Sequence, residues 1–130
     1  MSEYERSRTM TAPPDVVFDR ASDVDRLDSW LPRDLHVQSE DLPAVTVHED
    51  ATGRDERGLF RAQRDQLRME WGTRDDDRYA GWLQITTISD QASEVTVHLS
   101  FFDEEHAPPA DEVDHALEKS LERLAEQVRA

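Results

Sequence analysis

The last stretch of the chain, Ala110 to Arg129, constrains the fold more than any other. Val113, Ala116, Leu117, Ser120, Leu121, Leu124 and Val128 recur at three- and four-residue steps, so they share one face of a helix. The rest of its circumference is acidic or basic. At 1.5 Å per residue such a helix is roughly 30 Å long, about the span of a small domain. Between Asp34 and Phe102 the period changes to 2, which is the pattern of strands. One long amphipathic helix therefore has to cover one sheet.

The strands can be taken in order. Glu3 to Thr11 is the first candidate, with Tyr4, Arg6, Arg8 and Met10 on one side. Ala12-Pro13-Pro14 breaks it, because proline cannot donate to a ladder. Pro14 suits the first turn of a short helix, and Asp15 complements its dipole. Val16, Val17 and Phe18 supply that helix's apolar side, and it ends near Ala21. Ser22 or Asp23 can cap a second short helix, Val24 to Trp30, which Pro32 stops. Leu35 and Val37, then Val45 and Val47, alternate with polar residues. Glu49 to Glu56 reads as a hairpin loop in which Gly53 can take a positive φ. Gly58 to Gln63 is a strand, Arg64 to Gln66 a turn, and Leu67, Met69 and Trp71 alternate again. In Tyr79 to Ile88, Tyr79, Leu83 and Ile85 share one side while Trp82 and Ile88 share the other; Gly81 marks a bulge or a close backbone approach. Val95, Val97, Leu99 and Phe101 give the cleanest alternation in the chain. Consecutive strands with short turns make an antiparallel meander with one wet face, and the other face must be buried under the long helix.

At 130 residues the chain is expected to be one domain, 1–130. Cysteine is absent, which removes disulfides, thiolate metal sites and cysteine nucleophiles. The N-terminal residues lack an apolar core, and no apolar run approaches the length of a membrane span. A cytoplasmic protein without membrane insertion is the expectation. A net charge of −15 repels phosphate backbones, so nucleic acid is not an expected partner.

The early residues carry a family likeness. Arg8-Thr9-Met10-Thr11-Ala12-Pro13-Pro14-Asp15-Val16-Val17-Phe18 resembles the opening strand, Ala-Pro turn and first helix of the SRPBCC superfamily, which includes START lipid-transfer domains and bacterial polyketide cyclase/dehydrase-like proteins. Ser22-Asp23-Val24 with Trp30-Leu31-Pro32 resembles its second helix and closing tryptophan. Met69-Glu70-Trp71, Tyr79 to Leu83 and Glu94 to Leu99 are similar to middle strands of bacterial members. The resemblance covers essentially the whole chain. It implies an α+β helix-grip fold: a curved antiparallel sheet of about seven strands wrapped around the C-terminal helix, with two short helices after the first strand. It further implies a hydrophobic cavity between sheet and helix. It sets no function, since the superfamily hosts carriers, receptors and enzymes. One departure is Arg6, where the family usually has an aliphatic residue. Either this end of the strand meets solvent or two arginines point inward.

No residue pattern supplies a strong catalytic motif. His36, His48 and His98 fall opposite the apolar positions of their strands and should face water. His106 and His115 complete the set, and no HxH, HxxxH or HExxH spacing for zinc occurs. No GxSxG elbow or glycine-rich phosphate loop is present, and Ser120 reads as a small residue that permits close packing. Neither a metal nor a cofactor is expected. A guanidinium facing a cavity would hold a carboxylate or polarise a ketone, whereas at the sheet margin it would be salt-bridged. Arg8 is therefore the candidate polar anchor. The candidate ligand-binding wall comprises Arg8, Met10, Trp30, Met69, Trp71, Tyr79, Leu83, Ile85, Val97, Leu99, Phe101, Val113, Leu117 and Leu121. Three functions fit such a wall. The first is a binding protein, monomeric or weakly dimeric, for a small hydrophobic or aromatic molecule such as a lipid or polyketide-like compound. The second is a cyclase/dehydratase-type enzyme using the same cavity. The third is an interaction module whose interior is packed core, presenting acidic loops or Trp82 to another protein.

Overall fold

A computed structural model describes residues 2–31, 35–39, 41–50, 53–73, 79–102 and 108–129. Strand β1 (Ser2–Met10) is followed by helix α1 (Pro14–Ala21) and a 3-10 turn (Val24–Ser29). Six strands follow: β2 (Leu35–Ser39), β3 (Ala44–Glu49), β4 (Arg54–Gln63), β5 (Arg68–Thr73), β6 (Tyr79–Ser89) and β7 (Ala92–Phe101). Helix α2 (Ala110–Val128) closes the chain. All seven strands form one antiparallel sheet in the order β1-β7-β6-β5-β4-β3-β2. The meander β2 to β7 is thus laid down in sequence order, and β1 returns to pair with β7 along its whole length, from Ser2 opposite Phe101 to Met10 opposite Ser93. The sheet curves around α2, so the architecture is the expected helix-grip α+β fold.

The short elements differ in detail from expectation. Val16, Val17 and Phe18 do not all face inward; Val17, Phe18 and Ala21 are buried while Val16 is 43 % exposed. Consecutive helical residues are 100° apart, so three in a row cannot share a narrow face. The second short helix is a 3-10 turn, and its cap is Asp23, whose carboxylate accepts from the Asp25 amide at 3.2 Å. Ser22 instead ends α1, donating to the Phe18 carbonyl at 2.6 Å. The hairpin loop between β3 and β4 is shorter than Glu49 to Glu56, because strand pairing runs from Glu49 to Arg54. Gly53 there has φ +68°. The stop at Pro32, the aspartates Asp75 to Asp77, the pair Glu104-Glu105 and His106 lie outside the described residues.

The interior has two unlike ends. Helix α1 packs against β6, β7 and α2 and plugs one end of the curved sheet. There Met10, Val17, Leu83, Val95 and Leu124 are all at most 1 % exposed. The Ser93 hydroxyl, also buried, is satisfied by the Ala12 carbonyl at 2.8 Å. Toward the other end, at Tyr79 of β6 and Phe101 of β7, no helix among the described residues caps the sheet.

The convex face carries the charge. Trp82 lies between His98 of β7, stacked at 5.2 Å and 7°, and the Arg68 guanidinium of β5 at 4.7 Å from its ring. His36 and His48 face each other across β2 and β3. His36 bridges Asp28 (3.1 Å) and Asp50 (2.8 Å), and His48 meets Asp55 (2.6 Å). Asp50, then Asp28, hold the imidazolium and raise the His36 pKa above its usual 6.5. The folded state thus favours the charged form. Its contribution is fully present below 6.5 and fades as pH rises through the folded pKa. His36→Gln is expected to melt below the native chain at about pH 6, with the gap narrowing as pH rises above 6.5. Melting curves across that range check it; a gap independent of pH contradicts it. Among the described residues no helix is long and apolar enough to cross a membrane, and no three side chains of His, Asp or Glu are grouped to hold a metal ion.

Candidate functional site

Where α1 does not fill the grip, a pocket of about 360 Å³ separates the sheet from α2. Its walls follow from the two periodicities of the sequence. Helix α2 contributes Val113, Ala116, Leu117, Ser120 and Leu121 from the face that repeats every three to four residues. The inward positions of β7 contribute Val97, Leu99 and Phe101, those of β5 Met69 and Trp71, and β6 contributes Tyr79. Trp30, with Leu27 and Leu31, closes the wall from the 3-10 turn. Ten of the fourteen candidate residues therefore come together here.

Four do not. Met10, Leu83 and Ile85 lie off the wall, in the packed end beneath α1, with exposures of 1 %, 0 % and 2 %. They share the concave face with the wall residues, but α1 already covers that end. Arg8 is also off the wall, and it is exposed. It sits on the edge strand opposite Val95. Arg6, one inward step away, has its guanidinium 4.0 Å from Glu118 of α2. The sheet margin is therefore where these arginines belong, and the polar anchor has to be sought elsewhere.

Sequence reasoning missed the far wall. Leu35 and Val37 of β2, Val45 and Val47 of β3, and Gly58 and Phe60 of β4 all line the pocket. Their alternation was legible, but only curvature brings these outer strands round to the helix. Ser120 is 5 % exposed, as close packing requires, and it belongs to the pocket wall.

The aromatic end is held by a contact that the sequence does not announce. Trp71 lies directly across from Gly81 in the β5–β6 pairing, and its indole Nε1 donates to the Tyr79 hydroxyl at 2.9 Å. Tyr79 in turn packs on Phe101 at 5.0 Å, and Tyr4 meets Phe101 edge-on at 5.9 Å. Gly81 is the close approach, not the bulge; the register shift in β6 falls between Thr87 and Ser89. Burial pushes the Tyr79 pKa up to about 12, so its hydroxyl stays protonated at neutral pH. Besides Tyr79, the ionisable residues on the described wall are Glu56 and Arg57, and neither is buried.

Known structures share this fold. A START superfamily protein from Mycobacterium smegmatis superposes with a TM-score of 0.75 at 13 % identity, covering 96 % of this chain and 97 % of that one. The fold is that of the START-like superfamily. The di-domain ARO/CYC BexL, of the BE-7585A biosynthetic pathway, matches this chain with a TM-score of 0.76 at 16 % identity, over 98 % of this chain and 46 % of BexL. StfQ, the di-domain ARO/CYC of the steffimycin pathway, gives 0.75 at 20 % identity over 96 % of this chain and 44 % of its own. The chain thus spans less than half the length of either di-domain protein. No protein-family model matches this sequence, and no curated protein matches it.

Proposed function

We propose that the chain binds one small hydrophobic or aromatic molecule between the sheet and α2. The observation that carries this reading is the composition of the pocket wall. It is built from apolar side chains of the 3-10 turn, the strands and α2, with a few polar groups among them. Small-molecule sites have this makeup and volumes of roughly 300–1,000 Å³. An interaction module with a solid interior would have no use for such a space, and Trp82 is covered on both sides by His98 and Arg68.

The second reading is a polyketide cyclase-type enzyme. The likeness to BexL and StfQ favours it. Such a reaction needs a group that moves a proton. Tyr79, raised to about 12, can donate a hydrogen bond but is a poor base near neutrality, so binding is the better-supported reading.

Titration with the neutral dye N-phenyl-1-naphthylamine tests the proposal. Saturable binding of one dye per chain, with enhanced emission, is expected. Leu117→Trp should abolish it, because Leu117 faces the pocket and the larger ring would occupy the space. Its melting temperature should hold, since the added volume enters a void. Equal dye binding by the variant and the native chain would remove the pocket from consideration.

A further inference from the structure

Five side chains on the convex face form a row across the strands that make the far wall of the pocket. His36 of β2 lies opposite His48 of β3, and His48 lies opposite Asp55 of β4. Asp28 of the 3-10 turn and Asp50, just past β3, complete the row. Each ring nitrogen of His36 meets a carboxylate: Nδ1 is 3.1 Å from Asp28 and Nε2 is 2.8 Å from Asp50. His48 repeats the arrangement, with Nδ1 2.6 Å from Asp55 and Nε2 3.5 Å from the other oxygen of Asp50. The order is Asp28, His36, Asp50, His48, Asp55, with acid and base in alternation. Of the cations on these elements, Arg26 of the turn pairs with Asp23 at 3.6 Å, and Arg57 follows Asp55 on the same face of β4.

This geometry suits a charged ring. Only an imidazolium donates from both nitrogens; a neutral ring donates from one and accepts at the other. A neutral His36 would therefore turn a lone pair toward one of its two carboxylates. With both rings charged the row carries three negative and two positive charges; with both neutral, three negative charges share the same space. The raised pKa of His36, caused by Asp50 and then Asp28, agrees in direction.

The row fastens parts that shape the pocket, though neither histidine is on the wall. The second oxygen of Asp28 accepts from the Val37 amide at 3.1 Å. One carboxylate thus ties the 3-10 turn to β2 through a backbone group and a side chain. The turn brings Leu27, Trp30 and Leu31 to the wall, and β2 brings Leu35 and Val37. Strand β2 is the edge of the sheet, paired only with β3. On its other side the turn is bound to α2: Arg123 donates to the carbonyls of Trp30 (3.2 Å) and Leu31 (2.7 Å), and Gln127 to that of Ser29 (2.7 Å). The turn is therefore the seam between helix and sheet edge, and Asp28 is its fastening on the sheet side.

We infer that protonation of the His36–His48 row fastens this seam, so that the pocket holds its ligand more tightly at mildly acidic than at alkaline pH. The inference rests on the binding reading above and adds a regulation to it. A wall already held in its bound shape costs less to organise when the ligand enters. By linkage, a filled pocket raises the proton affinity of the row by the same factor. The effect is modest, because these side chains are between 43 % and 68 % exposed and such ion pairs are individually weak.

Titration of the whole chain with N-phenyl-1-naphthylamine, from about pH 6 to about pH 9, tests it. Affinity is expected to fall about three-fold as pH rises above 6.5. His36→Gln keeps a donor but no titrating charge, and should bind at the weaker affinity throughout. Asp28→Asn keeps an acceptor for the Val37 amide and offers an N–H to a neutral ring, so it should flatten the profile as well. His98→Gln should keep the three-fold change, because His98 pairs with Glu5 of β1 at 3.1 Å, away from the seam. The NMR titration midpoint of the His36 ring should move to higher pH when the dye is bound. An unchanged affinity across the range, a profile that survives in His36→Gln, or one that is lost in His98→Gln would overturn the inference and leave the pocket reading standing. No dye binding at any pH would overturn both.

Discussion

Gly81→Ala is expected to abolish ligand binding and to lower stability by about 2 kcal/mol, within the usual cost of overpacking. A Cβ at this position would lie 2.5 Å from Nε1, 2.6 Å from Cε2 and 2.9 Å from Cζ2 of Trp71. Real side chains do not tolerate such distances, so the indole has to move. Its room to move is limited. Gly81 lies directly across from Trp71 in the ladder, so the new methyl sits beneath the ring and pushes it off the sheet. Off the sheet on this face is the pocket. The displacement also breaks the bond from Nε1 to the Tyr79 hydroxyl, leaving a half-buried phenol without its donor. Denaturant unfolding measures the stability loss, and dye titration measures the pocket. A variant that loses stability yet binds dye as the native chain does would show that Trp71 relaxes elsewhere and does not shape the site.

Truncation along α2 should divide the helix into a structural and a functional part. Leu124→Ala is expected to cost about 3–4 kcal/mol, near the middle of the range for buried leucines. Leu124 is fully buried, lies off the pocket wall, and belongs to the end that α1 plugs. Removing its methyl groups opens a cavity among close-packed neighbours that cannot collapse. Leu117→Ala, two turns earlier on the same face, is expected to cost about 1–2 kcal/mol. Leu117 already borders empty space, so its truncation enlarges a void and forfeits fewer contacts. Urea denaturation of the two variants compares them directly. Equal losses would mean that the interior is packed alike at both ends.

The division between these ends explains what the sequence could and could not show. The buried face of α2 was legible residue by residue, because a single amphipathic helix has one apolar stripe and this one has nothing else to cover. The meander was legible for a similar reason: Val95, Val97, Leu99 and Phe101 alternate cleanly, and short turns leave an antiparallel order as the natural one. Burial alone, however, does not separate core from pocket. Leu83 and Val97 are direct neighbours across β6 and β7, both buried on the concave face, yet Val97 lines the pocket and Leu83 does not. Where α1 ends on the sheet decides between them, and that is a tertiary fact. Arg8 was drawn inward by strand parity, which fixes the side of a sheet but not how exposed a residue on its edge strand stays. The Trp71–Tyr79 bond and the Gly81 contact needed the β5–β6 register, which alternation alone does not fix to the residue. Ser120 was placed correctly on the inner face.

The most direct test of the pocket uses the methionines. The chain has three, at 1, 10 and 69. Met69 lines the pocket, whereas Met10 is equally buried but lies in the packed end off the wall. With methyl-labelled methionine, the Met69 methyl resonance is expected to shift strongly as N-phenyl-1-naphthylamine is added, because the bound ring would lie against it. The Met10 resonance should stay in place. A shift confined to Met10, or dye binding that leaves Met69 unmoved, would contradict a ligand site between the sheet and α2.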